Sequence, residues 1–262
     1  MTVILETQGL GKAFGALIAV SGMDVQIEQG AMHSIIGPNG AGKTTFFNLL
    51  TGKFKPSSGR IIYNGQDITD LPMHRRIHIG IGRSFQITNI FPNLTVLENV
   101  RLAAQAVSGV NFRWFRQARH YSAFEARALA VLEQVGLREL ALYPANALPH
   151  GGKRKLELAI LLAPDPQVLL LDEPTAGMAS EQVPQLIDTI NHIRLDGHKT
   201  IVMVEHNMSV VMGVSDRITV MNLGRKLAEG TPSEIAQDET VQRVYLGELY
   251  GDLSTIIGGN DA

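Results

Sequence analysis

The segment Gly37-Pro38-Asn39-Gly40-Ala41-Gly42-Lys43-Thr44 fits the pattern G-x-x-x-x-G-K-[ST] at every fixed position. Glycines at these spacings let the backbone wrap around phosphate oxygens and aim several N–H groups inward. A helix starting at the lysine adds the positive end of its dipole. Lys43 is then expected to reach the β- and γ-phosphates, the Thr44 hydroxyl to coordinate Mg2+, and Thr45 to add a hydroxyl at the α-phosphate. Further along, Val168-Leu169-Leu170-Leu171 runs straight into Asp172-Glu173. Such carboxylates emerge at the C-terminal end of a buried strand, where open α/β sheets bind their ligands. Asp172 is the expected Mg2+ carboxylate, acting through water, and Glu173 the expected general base for an attacking water. Taken singly, these segments also fit an ordinary glycine-rich turn and a strand ending in two solvated acids. Taken together they point to a nucleoside triphosphate and Mg2+, a combination that fits many NTPases.

Those groups work only if strands and helices alternate around them. Ala31 to Ile36 reads as a buried strand, Gly37 to Gly42 as a turn, and Lys43 to Leu50 as a helix stopping near Gly52. Ile61-Ile62-Tyr63, Asn64-Gly65 and Gln66-Asp67-Ile68 form a strong hairpin signal, which predicts a small antiparallel sheet beside the main one. Strand signals stop from Leu94 to Leu162, where Thr95 to Val100 and Ala123 to Val135 have helical composition and Gly136 is a stop. They return at Val168–Leu171, at Thr200–Val204, and at Arg217–Met221 before the turn Asn222-Leu223-Gly224. The stretch from Thr231 reads as short helices, with 258–261 as a frayed end.

Composition narrows the field. With 45% hydrophobic and 18% charged residues over 262 positions, the chain can bury a substantial core. A net charge of -2 gives no electrostatic footprint for nucleic acid. The absence of cysteine removes disulfides and thiolate metal sites. The opening residues lack the basic start and apolar run of a signal peptide, and no stretch approaches the roughly 18 apolar residues of a membrane span, so a soluble chain is expected. A mean hydropathy of +0.07 hints at apolar surface reserved for a partner.

Beyond the two phosphate motifs, the chain resembles the ATPases of ABC transporters. Gln86, in Gly82-Arg83-Ser84-Phe85-Gln86, is similar to the glutamine with which that family senses magnesium, the attacking water and the membrane partner. His206, in Val204-Glu205-His206-Asn207, resembles the switch histidine that contacts the γ-phosphate, and Phe14 the aromatic that stacks on adenine. Singly, a glutamine after a strand is a cap, a histidine is structural and a phenylalanine fills core. Their joint order around the phosphate motifs carries the resemblance, which spans essentially the whole chain. Within the family, the stretch Arg83 to Val100 and the ending Val241 to Glu248 resemble the ATPases of branched-chain amino-acid importers. The resemblance implies a peripheral subunit on the cytoplasmic face of the inner membrane. Its partners would be transmembrane permease subunits, a second ATPase subunit (identical or related) and, indirectly, a periplasmic binding protein, with no nucleic acid. An ATPase subunit does not touch the cargo, so importers of urea, amides or aromatic acids stay open. A soluble ABC-type clamp with little turnover is the alternative from another class; an intact Glu173 speaks against it.

The expected fold is α/β. A P-loop NTPase core of the ABC ATPase type carries the small antiparallel β-subdomain and spans 1–88 and 163–240; a helical subdomain is inserted at 89–162, and 241–262 is a helical tail. ABC ATPases pair head to tail, each ATP held between one subunit's phosphate loop and the signature loop, L-S-G-G-Q, of the other. Leu148-Pro149-His150-Gly151-Gly152 resembles that loop, with Pro149, His150, Gly151 and Gly152 facing the partner's nucleotide. Pro149 replaces the serine and removes both a hydroxyl and a backbone donor. Ala179 stands where the family has Asp or Asn reaching across the dimer, which puts cross-site communication in doubt. Arg113-Trp114-Phe115-Arg116 mixes cations with aromatics inside the helical insert; it reads either as anchors packed on core or as a patch near lipid headgroups or a permease helix.

Overall fold

The computed structural model describes residues 2–84, 90–107 and 117–249. Two 12-residue strands, β1 (Val3–Phe14) and β2 (Leu17–Glu28), open the chain as an antiparallel pair. β3 (Met32–Ile36) is buried at every position and passes through 37–42 into α1 (Lys43–Leu50). β4 (Ser58–Tyr63) and β5 (Gln66–Asp67) form the hairpin expected from Asn64-Gly65. Both turn residues have positive φ, 48° and 75°, the combination that makes Asn-Gly the favoured pair in a tight hairpin. The short α2 (Met73–Arg76) and β6 (Ile81–Arg83) complete this half.

The helical lobe follows: α3 (Val96–Ala106), α4 (Gln117–Gln134) and α5 (His150–Leu162). A reciprocal capping box starts α3. Thr95 Oγ1 accepts from the Glu98 N–H while Glu98 accepts from the Thr95 N–H, worth about 1 kcal/mol at a helix start. The chain then returns to the sheet with β7 (Val168–Asp172), α6 (Val183–Gly197), β8 (Thr200–Val204), α7 (Met208–Val214), β9 (Arg217–Asn222) and β10 (Arg225–Gly230). It ends in α8 (Pro232–Gln237) and α9 (Glu239–Leu249).

Strand order in the main sheet is β10-β9-β3-β8-β7-β6, with every pair parallel except β9 and β10. The second sheet runs β2-β1-β4-β5 and is antiparallel. Side chains alternate across a strand, so one apolar run can serve two cores. In β7, Val168 and Leu170 face a core shared with α1 and the antiparallel sheet, where Phe46, Phe47, Leu10 and Val25 meet. Leu169 and Leu171 face the other core, against Leu158 and Leu162 of α5 and Leu186 of α6. Helix α1 is thereby wedged between the two sheets. Each of Phe46 and Phe47 is fully buried, and truncating one to alanine is expected to cost about 3–5 kcal/mol.

Several elements differ from expectation. Helix α4 begins at Gln117, ahead of Ala123. Strands β1, β2, β6 and β10 were not expected. The Arg113–Arg116 patch and 258–261 lie outside the described residues.

Candidate functional site

Because β3, β8 and β7 are neighbouring parallel strands, their C-terminal ends come out side by side. The turn after β3 is the glycine loop, β8 leads into Glu205-His206, and β7 ends in Asp172-Glu173. Sheet topology alone therefore gathers groups that lie far apart in sequence.

Two glycines of the loop have no substitute. Gly37 and Gly42 have φ of 153° and 97°, and a Cβ on them would strike Met221 O and Ala19 O. The loop is also braced from behind, since the Gly224 N–H donates to Ala41 O at 2.9 Å. Gly42 is the N-cap of α1 and supplies no side-chain acceptor, and the first turn of α1 holds no acid. Its free N–H groups and dipole end are left to an anion. Lys43 is buried, and its Nζ donates to Gly37 O at 2.6 Å and Pro38 O at 2.8 Å, so the cation lies folded against the loop it would serve. Pro38 is buried, whereas Asn39, Gly40 and the Thr44 side chain are exposed; Ala41 is buried and Thr45 half-buried.

Asp172 is 3% exposed, and among the described residues neither of its carboxylate oxygens has a hydrogen-bond partner. Arg83 Nη2 stands 3.6 Å from Oδ2, near enough for attraction yet too far to bond. Arg83 is held there by donating to Thr51 Oγ1 at 3.1 Å and to Ser84 O at 3.3 Å. Burial pushes the Asp172 carboxyl above its ordinary range, the Arg83 guanidinium opposes that, and Glu173 adds to it. The Asp172 N–H donates to Ser84 Oγ at 3.0 Å, which fixes the strand end. A buried carboxylate with idle lone pairs is costly unless a cation or its hydration shell uses them. Asp172 together with the exposed Thr44 hydroxyl therefore fits Mg2+.

Glu173 follows in a left-handed backbone conformation, φ 49°. Its N–H donates to Val204 O at 2.9 Å, continuing the β7–β8 ladder. Its Oε1 accepts from His206 Nε2 at 2.8 Å, with both side chains partly open to solvent. A carboxylate and an imidazole at hydrogen-bond distance can orient a water and take its proton.

Phe14 ends β1, 44% exposed, with its ring edge-on to Phe54 at 5.4 Å and Lys12 Nζ 5.1 Å from its centroid. Its exposure leaves an aromatic surface for stacking. Pro149, His150, Gly151 and Gly152 stand on the helical lobe at the start of α5, with Pro149 as an N-cap lacking any side-chain acceptor. Their neighbours belong to the segment after Glu173. The His150 ring packs near Gly177, Gln182 lies against Gly151, and Arg154 Nη2 donates to Ala176 O at 3.0 Å. Gln86 lies outside the described residues. Sequence reading missed Arg83, Ser84, Thr175 and Glu205 as parts of this site. Arg83, Ser84 and Glu205 sit inside quoted motifs, but only strand pairing reveals what they touch.

The family described as ABC transporter matches residues 20–176, and that described as branched-chain amino acid ATP-binding cassette transporter matches residues 225–250. A high-affinity branched-chain amino acid transport ATP-binding protein of Pseudomonas aeruginosa is 39% identical over 256 residues, covering 94% of this chain and 98% of the relative. A solved ATP-binding cassette of an ABC transporter in its ADP conformation superposes with a TM-score of 0.82 at 28% identity, covering 94% of this chain and 100% of that one. A dimeric cassette in a post-hydrolysis state bound to ADP and Pi superposes with a TM-score of 0.73 at 26% identity, covering 87% and 99%.

Proposed function

The chain belongs to the ABC transporter family as one of its ATP-binding, ATP-hydrolysing subunits, and from that premise we propose that it energises a bacterial importer of branched-chain amino acids. The cargo reading is supported by the P. aeruginosa relative's transport role and by the match at residues 225–250. The subunit works with permease subunits and as one of a pair of cassettes. The proposed seat is peripheral, beside the permeases at the cytoplasmic face; among the described residues no helix is long and apolar enough to cross a membrane. A periplasmic binding protein completes the proposed importer.

The site reading rests on one observation: Glu173, paired with His206, stands beside the idle carboxylate of Asp172, at the same end of the parallel strands as the glycine loop. We assign the loop N–H groups and Lys43 to the phosphates of ATP, and Phe14 to the adenine. Thr44 and Asp172, with Gln86, are assigned to Mg2+, which when bound neutralises charge on the β- and γ-phosphates. Glu173 takes the proton of the attacking water, and His206 holds that carboxylate in place while facing the γ-phosphate. Pro149 to Gly152 serve the partner's nucleotide, so their missing hydroxyl handicaps the partner's site and leaves this chain's own catalytic half intact.

The test is Glu173→Gln in the assembled transporter. Turnover is expected to fall by roughly 10²- to 10⁴-fold, as for loss of a general base, with ATP affinity retained. Turnover at the wild-type rate would remove Glu173 from the reaction. Ligand screening of the co-purified binding protein tests the cargo.

A further inference from the structure

Glu205 is buried to 3% exposure directly beside His206, and its partners tie together two loops of the site. Its Oε1 accepts from the Thr175 N–H at 2.9 Å and from the Thr175 hydroxyl at 2.6 Å. Its Oε2 accepts from the N–H groups of His206 at 3.0 Å and Asn207 at 3.3 Å. Four convergent donors match the lone pairs of an ionised carboxylate, and bonds to a charged acceptor are roughly twice as strong as neutral ones. Thr175 lies two residues beyond Glu173 on the loop leaving β7, while His206 and Asn207 form the loop leaving β8. Asn207 in turn caps α7, its Oδ1 accepting from Ser209 N–H at 3.1 Å and Val210 N–H at 3.3 Å.

We infer that Glu205 is a positioning residue for the Glu173–His206 pair, a two-sided clamp that sets the spacing of their loops and hence the direction in which Glu173 faces water. The role rests on reading Glu173 as the base. Glu205 itself is buried, and its hydrogen bonds run to Thr175, His206 and Asn207. Misplacing a catalytic group by about 1 Å is enough to cost on the order of 10²-fold in rate, so a clamp of this kind acts on kcat and leaves binding alone.

Three variants test it in the assembled transporter, with kcat, KM, ATP affinity and thermal melting measured together. Glu205→Gln sets an amide NH2 against at least one pair of donors and frees that loop. Thr175→Val is nearly isosteric and removes only the hydroxyl bond, whereas Thr175→Ser keeps it. Glu205→Gln is expected to lower kcat by about tenfold or more and Thr175→Val by roughly three- to tenfold, with KM and ATP affinity within about twofold of wild type and Thr175→Ser close to wild type. Should Glu205→Gln fail to fold, the two threonine variants decide the matter. A cooperatively melting Thr175→Val with wild-type kcat would overturn the clamp, as would a variant whose KM and kcat change in step. Glu173→Gln runs alongside as a control. If it kills turnover while Thr175→Val does nothing, only the clamp is lost; if it leaves turnover intact, the base assignment fails first.

Discussion

Lys43 Nζ donates to two carbonyls of its own loop, an arrangement that a phosphate can outcompete. Lys43→Ala is expected to lower ATP affinity by about 100-fold or more, since a buried charge–phosphate contact is worth several kcal/mol; titration calorimetry on the purified chain reads it directly. Binding at wild-type strength would show that the loop holds something else. Asp172 is legible in sequence as the end of an apolar strand. Its idle oxygens are not, because they depend on Arg83 stopping 3.6 Å short. Glu205 was likewise hidden, since a carboxylate next to His206 reads as solvated until Thr175 is seen to close over it.

At the level of elements, sequence was most informative where the local signal and the tertiary demand agree. Asn64-Gly65 specified its hairpin, and the run Val168–Leu171 specified a strand buried on both faces. Strand β1 escaped notice because bulges break its register between Thr7 and Leu10 and again around Lys12, so its burial does not alternate; β2 was legible, with Met23, Val25 and Ile27 buried and Asp24 and Gln26 exposed between them, and was missed all the same. β10 escaped as a polar edge strand, Arg-Lys-Leu-Ala-Glu-Gly, whose charges suit a sheet margin and imitate a loop. The start of α5 carries its own prediction. Pro149 caps it with no side-chain acceptor, so Pro149→Ser should add about 1 kcal/mol to helix stability. The same hydroxyl would reach the partner's nucleotide, and a bond to a charged group is worth about 1.5–3 kcal/mol, so turnover in the assembled complex should rise by roughly tenfold. An unchanged ATPase rate would show that Pro149 is no handicap.

For the molecule as a whole, stability is linked to pH through the strand that carries the glycine loop. His33 in β3 is 1% exposed and hydrogen-bonded to Thr219 Oγ1 at 2.8 Å. Burial, reinforced by Arg217 and Lys226 and opposed by Glu229, lowers its imidazole to about 4 from 6.5. Between those values the unfolded chain takes up a proton that the folded chain refuses. The contribution is therefore fully present above pH 6.5 and lost as pH falls towards 4, amounting to about 3 kcal/mol at ~1.4 kcal/mol per pH unit. Urea unfolding at pH 7 and pH 4.5 checks this, and His33→Gln should flatten the difference. A slope that survives the substitution would assign it to other groups.

The brace behind the glycine loop reaches beyond the loop itself. Gly42 abuts Ala19 of β2 and Gly37 abuts Met221 of β9, while Gly224 bonds back to Ala41. Both sheets thus hold the socket in shape before any triphosphate arrives, and entry of the ligand spends little configurational freedom on moulding it. Capture can then be quick and nearly independent of the transport cycle. In the proposed pair of cassettes, the pace of the cycle would then be left to the approach of the second subunit.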